Sequence, residues 1–213
     1  MSNDNLLFGD LFDGEPREWV ERVDIPSDDS LEKILSDVKL SHTCGACKKG
    51  MPIIFGEGFV GVNVMVIGEG PGVDDIGSER PFMGQAGVLL DRMLAAIELR
   101  RAECYVCNVI KCIPPGERNF SVEEIEDCRP YLLRQILVVD PRVIIAFGAL
   151  AAQTLLRSKR TISELRGRVY HYSLNDRAIS VVPTFNPAYL LRVPEKKRQS
   201  WEDMKLVRGL LTR

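Results

Sequence analysis

VNVMVIGEGPG, residues 62–72, decides the fold. Its first eight residues form an apolar, β-branched run of the kind that makes a strand buried on both faces. The run ends in GEGPG, three glycines in five positions, and continues through residues 73–94 toward a helical pattern. Three further stretches read as strands of the same kind: CYVCNVIK (104–111), RVIIAFG (142–148) and AISVVPTF (178–185). Between them lie helical patterns. LEKILSDVKL (31–40) puts Leu31, Ile34, Leu35 and Val38 on one face, and residues 87–99 do so with Val88, Leu89, Met93, Leu94 and Ile97. SVEE (121–124) is a capping box, with Ser121 placed to accept the Glu124 N–H. The helix it opens is expected to bend or break at Pro130. A last helix is expected over about 149–157. Strand–helix alternation predicts an α/β three-layer sandwich around a central, mostly parallel four-stranded sheet. In such sheets ligands lie beyond the carboxyl ends of the strands, where the glycine loop, Asn108 and the segment after Phe185 all fall.

The chain has 213 residues, enough for one sizeable core. Its longest apolar stretch, VIIAFGALAAQTLL (143–156), is broken by Gln153 and is shorter than a membrane span. With no N-terminal apolar h-region, a soluble, cytoplasmic protein is expected. Charge is uneven. Residues 1–30 carry nine acids and two bases, leaving 26 of the 28 bases and 21 of the 30 acids to the remainder. Residues 1–30 are therefore read as an acidic, flexible extension, and 31–213 as a single, mildly basic domain. A basic body suits a polyanion and equally suits an ordinary solvated surface.

Phosphate is the obvious guess for a glycine loop, and the residues argue against it. No lysine follows as in a Walker A loop, and Val73 stands where a dinucleotide fingerprint needs glycine. Glu69, Asp74 and Asp75 would repel a phosphate. The loop is suited to bring backbone N–H groups and carboxylates to a less anionic ligand. Six cysteines give a second signal. Cys44 and Cys47 form a CxxC turn, while Cys112 begins a loop and Cys128 lies on the helix after it. Four thiolates from two places suit either zinc or a [4Fe–4S] cluster. Cys104 and Cys107 sit in an apolar strand and read as small buried hydrophobes. Neither His42 nor His171 belongs to a nucleophile motif, so triad hydrolysis is not indicated.

GEGPG with its acidic pair, RPFMGQAGVLL (80–90), NVIKCIPPGERN (108–119) with Cys128 sixteen residues after Cys112, FGALAAQTLL (147–156) and NPAYLLRVP (186–194) occur in one order. Together they resemble the family 4, iron–sulfur, uracil-DNA glycosylases from about residue 40 to 208. The resemblance implies a glycosylase-like fold, an enzyme of base excision repair that flips uracil from DNA and hydrolyses its N-glycosidic bond, and a monomer. It implies Cys44, Cys47, Cys112 and Cys128 as ligands of a structural [4Fe–4S] cluster, with zinc the alternative occupant. Gly70 and Pro71 would lie at the base, Phe82 would stack on it, and Asn108 would read its edge. Glu69 or Asp75 would activate water. Leu190 and Leu191 would enter the duplex, and Arg192, Lys196, Lys197 and Arg198 would meet phosphates. The pattern departs from the family at Asn186, where histidine-proline is usual, and Asn186 would take the catalytic place of that histidine, donating to the base O2 through its amide. That departure keeps a second reading open, an iron–sulfur protein that binds DNA lesions with little or no turnover.

Overall fold

The computed structural model describes residues 19–41, 52–113 and 119–212. The elements in chain order are β1 (Trp19–Glu21), α1 (Leu31–Ser41), β2 (Val64–Gly68), α2 (Val73–Ile76), α3 (Gly84–Ala95), β3 (Cys104–Asn108) and α4 (Val122–Val139). They continue with β4 (Val143–Phe147), α5 (Ala149–Leu156), α6 (Ile162–Leu165), β5 (Tyr170–Leu174), β6 (Arg177–Thr184), α7 (Pro187–Arg192) and α8 (Lys197–Leu211). The strands form one sheet in the order β1-β5-β6-β4-β2-β3, parallel everywhere except between β5 and β6.

Strand alternation creates the layers. Met65 and Ile67 of β2, and Ile144 and Ala146 of β4, pack with α4 and α5. Val64, Val66, Val143 and Ile145 face the other way, onto Leu90 and Leu94 of α3 and Met204 and Val207 of α8. Each side chain of this size removed from water contributes about 1.5–3 kcal/mol. Outside α4, Ile34 and Val38 of α1 form a smaller cluster with Phe55. No described helix is long and apolar enough to cross a membrane.

The sheet has six strands, not four. β5 buries Tyr170, Tyr172 and Leu174 in alternation and turns into β6 through Asn175 and Asp176, both at positive φ (47° and 64°). That is the backbone a two-residue hairpin turn needs. β1 then adds to the open edge of β5. The boundary at residue 30 shifts accordingly. Glu21 takes Arg129 and the Tyr172 hydroxyl, Asn175 brackets the Val23 backbone at 2.8 Å on both sides, and Arg134 forms a fork with Asp29 at 2.7 Å. Residues 19–30 therefore belong to the domain, while residues 1–18 lie outside the described part. The capping box forms as expected, with Glu124 N 3.2 Å from Ser121 Oγ and Ser121 N 2.9 Å from Glu124 Oε2. α4 nevertheless runs through Pro130 without interruption. Its buried face, rich in leucine and isoleucine, packs along its whole length and outweighs one missing N–H.

Candidate functional site

β2, β3, β4 and β6 all end on the same side of the sheet, and a cavity of about 230 Å³ opens there. Gly70, Asp75, Phe82, Asn108, Asn186 and Ala188 are among its walls. It is smaller than the roughly 300–1,000 Å³ of sites for drug-sized ligands, so a single small ring is the natural occupant.

Phe82 and Asn108 meet across Gly68, the last residue of β2. A Cβ on Gly68 would lie 2.3 Å from Asn108 Oδ1 and 2.4 Å from Phe82 Cζ. Phe82 adopts φ 54°, a left-handed backbone that costs a bulky residue about 1–3 kcal/mol. Arg101 holds it there by donating to the carbonyls of Pro81 and Phe82, while Glu57 anchors Arg101 at 2.7 Å. The ring is 8% exposed and stands edge-on to Phe147 at 6.2 Å. Asn108 is 2% exposed, and its Nδ2 has no hydrogen-bond partner among the described residues. A buried amide donor left unpaired costs about 1–3 kcal/mol, so its presence in a cavity wall points to a ligand acceptor. The backbone around it is fixed, with Val109 N donating to Gly68 O at 2.9 Å and Ile110 N to Glu69 O at 3.0 Å.

The two candidate acids differ in what they touch. Asp75 is 4% exposed and accepts the Gly72 N–H on Oδ2 (3.0 Å) and the Met83 N–H on Oδ1 (2.7 Å). It joins the glycine loop to the start of α3. Glu69 is only partly buried. Its Oε1 accepts the Leu150 N–H at 3.1 Å and its Oε2 accepts Asn186 Nδ2 at 3.0 Å. The first turn of α5 thus points N–H groups at the carboxylate. Gly148, at φ 100°, permits the approach, because a Cβ would sit 2.4 Å from the carboxyl carbon. Surrounding protein raises the Glu69 carboxyl above its ordinary 4.5, partly offset by the Leu150 N–H, Asn186, the Ala149 N–H and the Arg192 charge.

Asn186 also caps α7, its Oδ1 accepting the Ala188 N–H at 2.9 Å, with Pro187 at the first helical position. Asparagine is among the best N-cap residues and proline is favoured just after it. Asn186 thus serves two local bonds at once. Pro71 is buried beside the loop, and Gly70 lies under the Phe120 ring, where a Cβ would come within 2.2 Å. Phe120 escaped the sequence reading because nothing local marks a ring that packs on a loop fifty residues upstream.

On α7, Leu190 is 1% exposed and Leu191 40% exposed. Leu190 packs inside the protein and cannot also fill a DNA duplex, which corrects its assignment as a wedge. Leu190→Ala should therefore cost about 2–5 kcal/mol of stability in urea unfolding. Leu191→Ala should stay within about 0.5 kcal/mol of the parent. Arg192 and Lys197 are exposed, and Lys196 Nζ stands 5.9 Å from the Phe185 ring centre. Asp203, fully buried, binds Arg166 through both oxygens and accepts from Thr184 Oγ1 at 2.7 Å, pinning the end of β6 just before Asn186.

Of the four candidate metal ligands, Cys112 and Cys128 are buried at 0% and 3% and lie in one core cluster. Cys44 and Cys47 lie outside the described residues. Among the described residues no three His, Cys, Asp or Glu side chains gather as a metal site. Cys104 and Cys107 are buried, and burial pushes the Cys104 thiol up to about 12 and the Cys107 thiol up as well.

The model of the uracil DNA glycosylase superfamily matches residues 55–205. The chain is 34% identical over 183 residues to the type-4 uracil-DNA glycosylase of Archaeoglobus fulgidus, covering 84% of this chain and 92% of that protein. Against the type-4 enzyme of Thermotoga maritima it is 35% identical over 187 residues, 86% of this chain and 96% of the relative. Against that of Pyrobaculum aerophilum the values are 33% over 183 residues, 84% and 93%.

Proposed function

Because the chain belongs to the uracil DNA glycosylase superfamily, alongside its type-4 members, we infer that it flips uracil from DNA and hydrolyses the N-glycosidic bond to start base excision repair. The observation that carries this reading is the unpaired Asn108 Nδ2 in a small cavity shared with Phe82. Uracil offers O4 as an acceptor and N3–H as a donor, and a carboxamide complements both. Cytosine offers the reverse pattern and would leave buried polar groups facing like groups. A site built to hydrogen-bond its substrate rejects a mismatched one strongly for this reason.

Phe82 stacks on the flipped ring. Pro71 has no N–H and that of Gly72 is taken by Asp75, which leaves the Gly70 N–H to meet the base O2. Charge develops on O2 as the C1′–N1 bond breaks, with the bonding pair passing to the base. Glu69 stabilises the cationic sugar and accepts the proton of the water that bonds to C1′. The free base takes its proton from solvent. Asn186 holds Glu69 in place and keeps α7 capped. Leu191, rather than Leu190, fills the gap left by the flipped nucleotide. Arg192, Lys196 and Lys197 meet phosphates, adding salt-dependent affinity without sequence preference.

Cys44, Cys47, Cys112 and Cys128 would hold a [4Fe–4S] cluster that ties the CxxC turn to α4 and supplies no chemistry to the reaction. The fit rests on Cys112 and Cys128, two sulfur donors buried in one core cluster, the donor type that suits an iron–sulfur or zinc centre. Zinc in the same four thiolates is distinguished by the lack of broad visible absorbance.

The test is cleavage of oligonucleotides carrying one uracil, hypoxanthine, xanthine or mismatched thymine, followed by alkali. Cutting at uracil is expected. No cutting by a folded, metal-loaded protein would favour lesion binding without turnover. Gly68→Ala provides a local check. Its Cβ forces Asn108 and Phe82 apart, so uracil cleavage should fall at least tenfold, with a stability cost of about 1–3 kcal/mol.

A further inference from the structure

We propose that Lys111 is a positioning residue that braces Asn108 against the face of α4 carrying Cys128, so that base recognition and the cysteine centre share one strut. The inference rests on the reading of Asn108 as the residue that reads the base.

Lys111 has no exposed surface. Its Nζ donates to the main-chain oxygen of Asn108 at 2.6 Å and to Gln135 Oε1 at 2.5 Å. Gln135 is equally buried, and its Nε2 donates to Phe55 O at 3.0 Å and to the Tyr105 hydroxyl at 2.9 Å. Those two bonds fix the amide so that its oxygen faces the ammonium. Lys111 therefore reaches a rigid acceptor on one side and the peptide of the base-reading residue on the other. Cys128 and Gln135 are seven residues apart on α4, two turns along one face, and Cys112 directly follows Lys111 in the chain. A change at the cysteine centre that moves α4 or residue 112 is thereby transmitted to the Asn108 carbonyl.

Stability does not explain a lysine here. A buried ammonium is costly to desolvate, and an apolar side chain of similar length would pack in the same space at no such cost. What an apolar side chain cannot do is pull on the Asn108 carbonyl. That carbonyl belongs to the peptide whose N–H, on Val109, is bonded to Gly68 O at 2.9 Å. Held on both edges, the peptide sets the direction of the Asn108 carboxamide against Gly68 and Phe82.

The test uses the full-length, metal-loaded chain with Lys111→Met. Affinity is measured for a duplex carrying one cleavage-resistant 2′-fluoro-deoxyuridine and for the same duplex carrying cytosine, with metal and sulfide content per chain measured alongside. The uracil-to-cytosine affinity ratio is expected to fall at least tenfold, with cytosine-duplex binding and metal content unchanged. An unchanged ratio overturns the inference. So does a loss of metal in step with the ratio, because Lys111 would then serve the cysteine centre alone. Gln135→Met, which removes the anchor on α4, is read in the same way if Lys111→Met does not fold. A wild-type chain that cuts no uracil and binds the two duplexes equally would instead overturn the reading of Asn108 itself, before any substitution is made.

Discussion

Asn108→Ala lowers kcat/KM for uracil excision by about 10²–10³-fold, the usual loss for one preorganised donor at a site of developing charge. The preference for uracil over cytosine collapses with it, while affinity for undamaged duplex stays. The same substitution leaves folding stability unchanged or raises it. The reason is the unpaired Nδ2, a buried donor that already lacks a partner without substrate. Replacing it with a methyl group removes a desolvation cost. Activity and thermal unfolding measured on one preparation separate this from a structural role. A large fall in Tm with uracil preference retained would show that Asn108 is a core residue and not the reader of the base.

Glu69→Gln should reduce kcat by about 10²–10⁴-fold, the range for loss of a positioned general base. It also has two pH signatures. Burial holds the Glu69 carboxyl above its ordinary 4.5, so the acid limb of the kcat profile of the parent should lie above the common carboxylate range, with the rate rising as Glu69 ionises. The glutamine variant should lack that limb. Stability runs the opposite way. A carboxyl raised on folding binds its proton more tightly in the native state, so stability is fully present below 4.5 and falls as pH rises through the raised value. Glutamine cannot ionise and escapes that loss. Its amide would, however, face Asn186 Nδ2, which cannot turn because Oδ1 caps α7. The variant should therefore start about 0.5–1.5 kcal/mol less stable at low pH, the worth of one hydrogen bond, and close the gap as pH rises. Unfolding followed against pH for both proteins checks this. A gap that stays constant or widens would mean that Glu69 does not carry a raised pKa.

The parallel core of the sheet was legible because it depends on local patterns. Continuous apolar runs marked β2, β3, β4 and β6, and the Ser121–Glu124 box marked the start of α4. The glycine loop pointed to the strand ends, where the cavity opens. β1 and β5 were missed for a physical reason. β5 reads as YHYSL, half polar, because an edge-side antiparallel strand buries only alternate residues, and β1 is a three-residue edge strand whose place depends on β5. The Asn175–Asp176 pair was the available signal.

The sequence by itself thus determined the α/β class and the strand ends beyond which the cavity opens. Only the tertiary structure decided how the residues there divide the work. Asp75 and Glu69 are both acids of one loop, yet one closes on two backbone N–H groups nearby while the other meets α5 and Asn186 across the sheet. Leu190 and Leu191 are neighbours of one type, separated by the direction in which α7 faces the core. Lys111 sits in a strand-like run, and nothing in that run shows that it reaches a glutamine 24 residues away. Backbone preference and periodicity act over a few residues, whereas burial and hydrogen-bond partners are set by long-range packing, and those partners determine what a polar side chain can do.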